Sequence, residues 1–458
     1  MEARLDLRAL LEEWVERGRG LVGAGAELEL YAQEHRGLTV KAFQGGVESL
    51  RYAHSRGVGV RVLKEGRLGY AYCTGFGWEE CAKAIEEAAA NALFSTPDEH
   101  NRLPFPGARP FPGDLGIYHP EVEETPSEDK VKLVLELEEI TISRDPRIKR
   151  VETAVYADTV SEVAVANSLG VAGSYRSTDC HCYVFPIAEE GEESQTGFSF
   201  DLGVKPSDLD LERVAGEAAD RALCLLGSRS MPSRRTTVVL DSMVTAEFMG
   251  MLAAALSAEA VLKGRSFLAG RQGERVASSL VTVVDDGLLP GGPSTAPFDD
   301  EGVPSRRKEL ISEGVLAGYM HNMYTASRSG TESTGNATRA SFRERPRVGA
   351  TNLFLRSGRG TREELVRGVG DGVLILQVVG AHAGANPVSG EISLGALGLR
   401  IKNGELQQPL REITLAGKAL DFLRHTVAVG EDLRFLPFEG SLGAPTVVVE
   451  GVMISGRG

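Results

Sequence analysis

Cysteine is scarce in this 458-residue chain: five residues, Cys73, Cys81, Cys180, Cys182 and Cys224, all in the first half. So few, and odd in number, they argue against a disulfide framework and for a reducing interior. Histidine is missing between His181 and His321, so no helix in that interval can offer paired imidazoles to a metal. Aromatics make up 6% of the residues, and no apolar run reaches membrane length. The opening "MEARLDLRALLEEW" lacks the apolar stretch of a secretion signal. The expected location is therefore cytoplasmic, with no membrane partner. Excess positive charge is missing too, since 50 Lys and Arg face 64 Asp and Glu for a net charge of −14. That field repels phosphate backbones and argues against direct nucleic-acid binding. The one basic stretch, "RASFRERPRVGATNLFLRSGRGTR" (339–362), reads as a loop-rich, solvated or partner-binding face.

What is present is an ordinary globular composition, 42% hydrophobic and 25% charged, on a chain long enough for several subdomains. Apolar spacing predicts a helix over 5–21, an antiparallel meander over 26–75 and a helix in "WEECAKAIEEAAANALF". Residues 95–120 hold six prolines and read as an extended surface connector. The pattern then repeats: a helix over 127–143, strands through 200, and a helix over 208–226. "AHSRGVGV" (53–60) resembles "ANSLGVAG" (166–173), and "AIEEAAANAL" (84–93) resembles "VAGEAADRAL" (214–223). Two related helix–strands–helix units, about 1–110 and 111–230, are expected to form one amino-terminal domain, 1–230. After the linker 227–233 comes a carboxy-terminal domain, 231–458. It opens with the strand "RRTTVVLDS" and the Ala- and Met-rich helix "MVTAEFMGMLAAALSAEAVLKGRSF" (243–267). Many short β-rich runs follow, interrupted by one helix near 418–425. The expected fold class is α+β, the second half being mainly antiparallel sheets packed face to face.

Few residues suggest chemistry. In "DCHCY" (179–183) a strand would place Cys180 and Cys182 on one face and His181 on the other, so the three cannot converge on an ion. His382 lies in "GAHAGANPVSGEISLG" (380–395) beside Asn386, Ser389 and Glu391. That segment reads either as a loop that a ligand approaches closely or as a tight turn built by Asn-Pro and Ser-Gly. "STGNATR" (333–339) is a second polar loop without a nucleophile–base pair, and no Gly-x-Ser-x-Gly elbow occurs. The consecutive acids Asp299, Asp300 and Glu301 read as a solvated turn.

Several long motifs, in order, resemble the TldD/PmbA family: "GLTVKAFQGGVESLRYAHSRGVGVRVLKEGRLGYAYCTG", "VVDDGLLPGGPSTAPFDDEGVPSRRKELISEGVLAGYM", "STGNATR", "NPVSGEISLGALGLRIKNGELQQPLREITLAG" and "VAVGEDL". The resemblance implies a role in proteolysis and peptide maturation. In it, a TldD-type zinc peptidase cuts unfolded peptides beside a TldE-type (PmbA-type) partner in a cytoplasmic complex. TldD-type chains carry His-Glu-x-x-x-His on the helix that corresponds to 243–267, and a late Cys ligand. Counted back without gaps from "GRSFL", those positions here hold Met249, Gly250 and Ala254, and no cysteine follows Cys224. The resemblance therefore implies a non-catalytic TldE-type subunit with no metal or cofactor of its own, the zinc residing in a TldD-type partner. Ser333, Thr334, Asn336, His382, Asn386, Ser389 and Glu391 are expected to line the equivalent cleft and hydrogen-bond to peptide. Two alternatives stand beside this reading. One is a self-sufficient peptidase homodimer with an atypical site at His382 and Glu391. The other is a non-proteolytic binding module, such as the modulator of DNA gyrase that an older family label names.

Overall fold

The computed structural model describes residues 5–106, 111–380, 384–436 and 441–457. Helix α1 (Leu7–Val22) is capped by Asp6, whose carboxylate accepts from the Ala9 N–H, and it buries Leu7, Leu11, Trp14, Val15, Gly18 and Val22 along one face. The meander follows as β1 (Glu27–Phe43), β2 (Gly46–Lys64) and β3 (Arg67–Thr74), closed by α2 (Trp78–Phe94). After the proline-rich connector come α3 (Glu121–Glu124), α4 (Ser127–Ser143), β4 (Ile148–Asn167), β5 (Ala172–Glu190), β6 (Glu193–Thr196), β7 (Ser199–Gly203) and α5 (Leu211–Leu223). Strand β1 pairs antiparallel with β4, so both units share one sheet of order β3-β2-β1-β4-β5-β6, with β7 also on β5.

The closing helices of the two expected units pack alike. A Cβ on Gly69 of β3 would stand 1.8 Å from the Ala88 carbonyl oxygen of α2, and one on Gly197 would stand 1.9 Å from that of Ala218 in α5. In each unit a glycine, Gly69 within β3 and Gly197 just after β6, lets the helix backbone come close, and Ala88 and Ala218 occupy matching places in the two quoted helix sequences. The other match fails. "AHSRGVGV" lies inside β2, whereas "ANSLGVAG" spans the turn from β4 into β5. Both need small residues, but for different reasons.

The second half begins with β8 (Arg234–Leu240), α6 (Ser242–Leu256) and α7 (Ala258–Leu262). The expected single helix over 243–267 is thus broken at Ser257, which bridges to Met320. Next come β9 (Val283–Asp286), β10 (Arg307–Ser312), β11 (Val315–Leu316), α8 (Met323–Ser329), β12 (Ala337–Thr338), β13 (Arg347–Val348), β14 (Asn352–Leu355) and α9 (Arg362–Arg367). The chain finishes with β15 (Asp371–Val379), β16 (Glu391–Lys402), β17 (Glu405–Lys418), α10 (Ala419–Arg424), β18 (Thr426–Val429), β19 (Arg434–Leu436), β20 (Ser441–Ala444) and β21 (Val447–Ser455). Two sheets share one apolar core with α6. One has the order β11-β10-β9-β14-β20-β19 and the other β17-β16-β15-β8-β21-β18. The class is α+β with antiparallel sheets, as expected, and with two additions. β15 runs parallel to β8 and β14 to β20, and β21 also bonds to β17, which closes five strands on themselves. Helices α8 and α9 were not anticipated; each is short and begins in a capping box, at Asn322 and Thr361.

A buried charge network joins the halves. Arg61 of β2 donates from Nε to Glu29 Oε1 at 3.0 Å and from Nη1 to Glu301 Oε1 at 2.6 Å. Arg339 pairs with the same Glu29, and its backbone N–H donates to Asp300 Oδ2 at 2.6 Å. This corrects two expectations. The acids 299–301 do not form a solvated turn, since Asp299 and Glu301 are 6% and 1% exposed. The basic stretch is not solvated throughout either, because Arg339 is buried at its head. Buried charges persist where each meets a partner, and Glu301 and Arg339 find theirs, Arg61 and Glu29, in the other half of the chain. Among the described residues, no helix is long and apolar enough to cross a membrane.

Candidate functional site

Strand β5 alternates. Cys180, Cys182 and Val184 pack into the core beneath α4 and α5. His181, Tyr183 and Phe185 emerge on the opposite face, as the pleat requires. There the His181 and Tyr183 rings stack at 6.2 Å, and Phe185 stacks on Phe198 at 4.6 Å. Phe185 and Phe198 of this row face α6 across an apolar cavity of about 460 Å³, which is lined also by Phe248, Met251, Leu376 and Leu394. The sequence signal was the period-two run His-x-Tyr-x-Phe within "DCHCYVF", overshadowed by its cysteines.

A second, polar cavity of about 760 Å³ adjoins the first, sharing Gly250, Leu436 and Leu442 with it. His181, Asp179, Asp299 and Thr351 border it. Asp179 is accessible within the cavity yet ringed by protein. Burial and the charge of Asp158 push its carboxyl up to about 6, against a hydrogen bond from Thr159. Burial and Glu301 push Asp299 up to about 8, although the backbone N–H groups of Ala337, Val303 and Glu301 donate to it. Burial lowers the His181 imidazole, which favours its neutral form.

Helix α6 forms the floor and is fixed at its start by Asp241. That carboxylate accepts from the Met243 N–H at 3.2 Å, from Arg221 of α5 at 2.8 Å and from Arg362 of α9 at 3.0 Å. Burial would raise the Asp241 carboxyl, but the two guanidiniums hold it below its ordinary value. Of the three positions that the family resemblance assigns to the metal motif, Met249 is 4% exposed and packs in the core. Gly250 and Ala254 border the apolar cavity but carry no donor atom. Glu247 also lines that cavity, and one carboxylate falls short of the roughly three protein ligands a catalytic zinc needs. This donor set does not fit a zinc ion. Among the described residues, no group of three or more His, Cys, Asp or Glu is arranged to hold a metal.

The polar residues singled out from the sequence stand in two other places. Thr334 donates to Asn336 Oδ1 at 2.7 Å and receives the His321 N–H at 2.7 Å. Ser333 Oγ donates to the His321 carbonyl at 3.2 Å. Asn336 is fully buried and donates to Asp285 at 2.8 Å and to the Gly349 carbonyl at 2.9 Å. These three side chains tie the loop to its neighbours, and none of them borders either cavity. Asn386, Ser389 and Glu391 lie in an exposed turn. There the Asn386 side-chain oxygen accepts from the Val388 and Ser389 N–H groups, and Ser389 Oγ accepts from the Glu391 N–H. The turn reading therefore describes these three residues, while their neighbours Ala385 and Pro387 border the apolar cavity. His382 lies outside the described residues.

Three family profiles match the chain: PmbA/TldA metallopeptidase domain 1 over 28–92, the central domain over 120–226 and the C-terminal domain over 233–456. The Escherichia coli metalloprotease PmbA is 26% identical over 93% of this chain and 92% of its own. A Methanocaldococcus jannaschii metalloprotease is 29% identical over 92% of each. A Thermotoga maritima crystal structure, provisionally described as a modulator of a DNA gyrase, is 30% identical. It superimposes with a TM-score of 0.89 over 97% of this chain and all of its own. The structure of TldE from Thermococcus kodakarensis, 24% identical, shares the fold at a TM-score of 0.89 over 98% of this chain and all of its own. Spanned from its first strand to its last by these profiles, the chain belongs to the PmbA/TldD family of metallopeptidase-related proteins.

Proposed function

We propose that the chain is a non-catalytic, TldE-type subunit that pairs in the cytoplasm with a TldD-type zinc peptidase and helps to receive unfolded peptides for cleavage. One observation carries this reading: at the positions of the family's metal motif, α6 bears a core methionine, a glycine and an alanine. A hydrolytic zinc needs about three protein ligands and a base to activate its water, and these side chains supply neither. The peptidase relatives' names support a place in proteolysis. The two adjoining cavities suit an extended peptide, with apolar side chains against the aromatic row and the polar backbone toward Asp179 and His181. Ser333, Thr334 and Asn336 act in this reading from behind, holding the loops that shape the polar cavity. Asn386, Ser389 and Glu391 contribute through the turn that sets Ala385 and Pro387.

Co-expression with a TldD-type chain from the same genome tests the proposal. The expected result is a co-purifying complex that cleaves unstructured peptide and carries its zinc on the TldD-type subunit. Stoichiometric zinc together with peptide cleavage by the isolated chain would overturn it.

A further inference from the structure

The segment "RERPR" (343–347) borders a recess of about 720 Å³ that shares no lining residue with the two cavities above. Its walls come from both halves of the chain: Leu68 and Tyr70 of β3, the connector around Asp98 and Arg102, and the loop 343–347. These walls are fixed by hydrogen bonds. The Tyr70 hydroxyl lies 2.7 Å and 2.9 Å from the Phe342 and Glu344 carbonyl oxygens and donates to that pair. On the connector side, the Asp98 N–H and the Asn101 side chain both donate to the Gly66 carbonyl at 2.9 Å.

Five arginines and four carboxylates line the recess, and their pairing is uneven. Glu301 accepts from Arg61 and from the Met323 N–H, Glu344 pairs with Arg347 at 2.7 Å, and Glu259 pairs with Lys263. Asp98 accepts from two neutral donors, the Tyr324 hydroxyl and the His100 N–H, each at 2.9 Å. Arg102, Arg343 and Arg345 remain, all exposed, and among the described residues none of them has an ion-pair partner. The Arg343 guanidinium lies over the Phe342 ring at 5.3 Å, which orients it without neutralising it. Three like charges held around one concave recess repel one another and gain from an anion that enters between them. In a chain of net charge −14 such a concentration is out of keeping with the rest of the surface.

We propose that this recess binds a phosphate-bearing small molecule, its phosphate oxygens accepting from Arg102, Arg343 and Arg345 and its organic part lying against Leu68, Tyr70 and Tyr324. A phosphate ester carries close to two negative charges at neutral pH and three acceptor oxygens, so several guanidinium forks can donate to it at once. A single carboxylate offers two oxygens and one charge, too little for three arginines. The volume suits a small ligand rather than a length of polymer. The site is separate from the two cavities, so it stands or falls independently of the TldE-type reading.

Calorimetric titration of the full-length chain with pyrophosphate tests the proposal. The expected result is saturable binding of one pyrophosphate per chain, weakened by added salt and accompanied by a higher thermal melt. Arg102→Gln, Arg343→Gln and Arg345→Gln should each weaken binding at least about tenfold, the loss of one charge-assisted hydrogen bond. Their melts without ligand should match the parent, since all three side chains are exposed. Arg411→Gln, exposed on β17 and outside the recess, should leave binding unchanged. Citrate and a glutamate-rich peptide, titrated in the same buffer, distinguish a phosphate site from a carboxylate site. No binding of pyrophosphate overturns the proposal. So does binding that survives all three recess substitutions, or binding of citrate or of the acidic peptide that is tighter than that of pyrophosphate.

Discussion

Arg61 and Glu301 lie 240 residues apart in the chain and meet at 2.6 Å, with 4% and 1% of their surfaces exposed. The pair helps to seat the amino-terminal sheet on the carboxy-terminal half, and residues of both halves line the two cavities.

Arg61→Leu should therefore destabilise the whole chain. It leaves Glu29 and Glu301 without their shared guanidinium, and breaking a buried pair costs roughly 3–5 kcal/mol. A urea titration followed by tryptophan fluorescence would register the loss as a lower midpoint. An unchanged midpoint would mean that the halves are held together by other contacts.

Gly69→Ala and Gly197→Ala should cost about 1–3 kcal/mol each, because either methyl meets a helix carbonyl oxygen at under 2 Å. Gly20→Ala is the control. Gly20 lies within α1 with open space around its Cβ position, so alanine there should stabilise by roughly 0.5–1 kcal/mol. Thermal melts of the three variants give the comparison.

Asp179 should make stability fall with rising pH. Its carboxyl titrates near 6 in the folded chain and about 3.9 when unfolded. The folded state thus holds the proton more tightly between those values, and stability drops across pH 4 to 6 and levels off above. Asp179→Asn removes this contribution. Relative to the parent, the variant should gain stability between pH 4 and pH 6 and no more beyond, as read from urea midpoints. A difference that is flat with pH would show that Asp179 ionises freely.

Ala254→Trp should fill the apolar cavity without touching the core, since Ala254 is exposed on the cavity side of α6. In the complex with a TldD-type chain, peptide cleavage should fall at least about tenfold, some 1.4 kcal/mol. Complex mass and zinc content should stay constant. Full activity would place the peptide path elsewhere.

Much of the architecture is legible locally. Helix α4 falls on its expected range, α1 within two residues of it, and the split of β5 into Cys180 and Cys182 on one face and His181 on the other follows from the pleat. The helix break at Ser257 is not legible, because it answers to Met320, a distant residue. Nor are the roles of Ser333, Thr334 and Asn336. A polar loop reads alike whether its side chains face a ligand or, as here, His321 and Asp285.

The sequence by itself determined what α6 can hold. Gly250 and Ala254 carry no metal donor in any conformation, and Met249 offers only a soft thioether, which does not suit a hydrolytic zinc. Local periodicity likewise placed the helices α1, α2, α4 and α5. Only the tertiary structure decided that Glu301 and Arg339 are buried partners of the amino-terminal sheet, and that His181 and Phe185 border two adjoining cavities. A charged residue is written the same way whether water or an opposite charge solvates it. Here Arg339 and its partner Glu29 are 310 residues apart, and no local pattern brings them together.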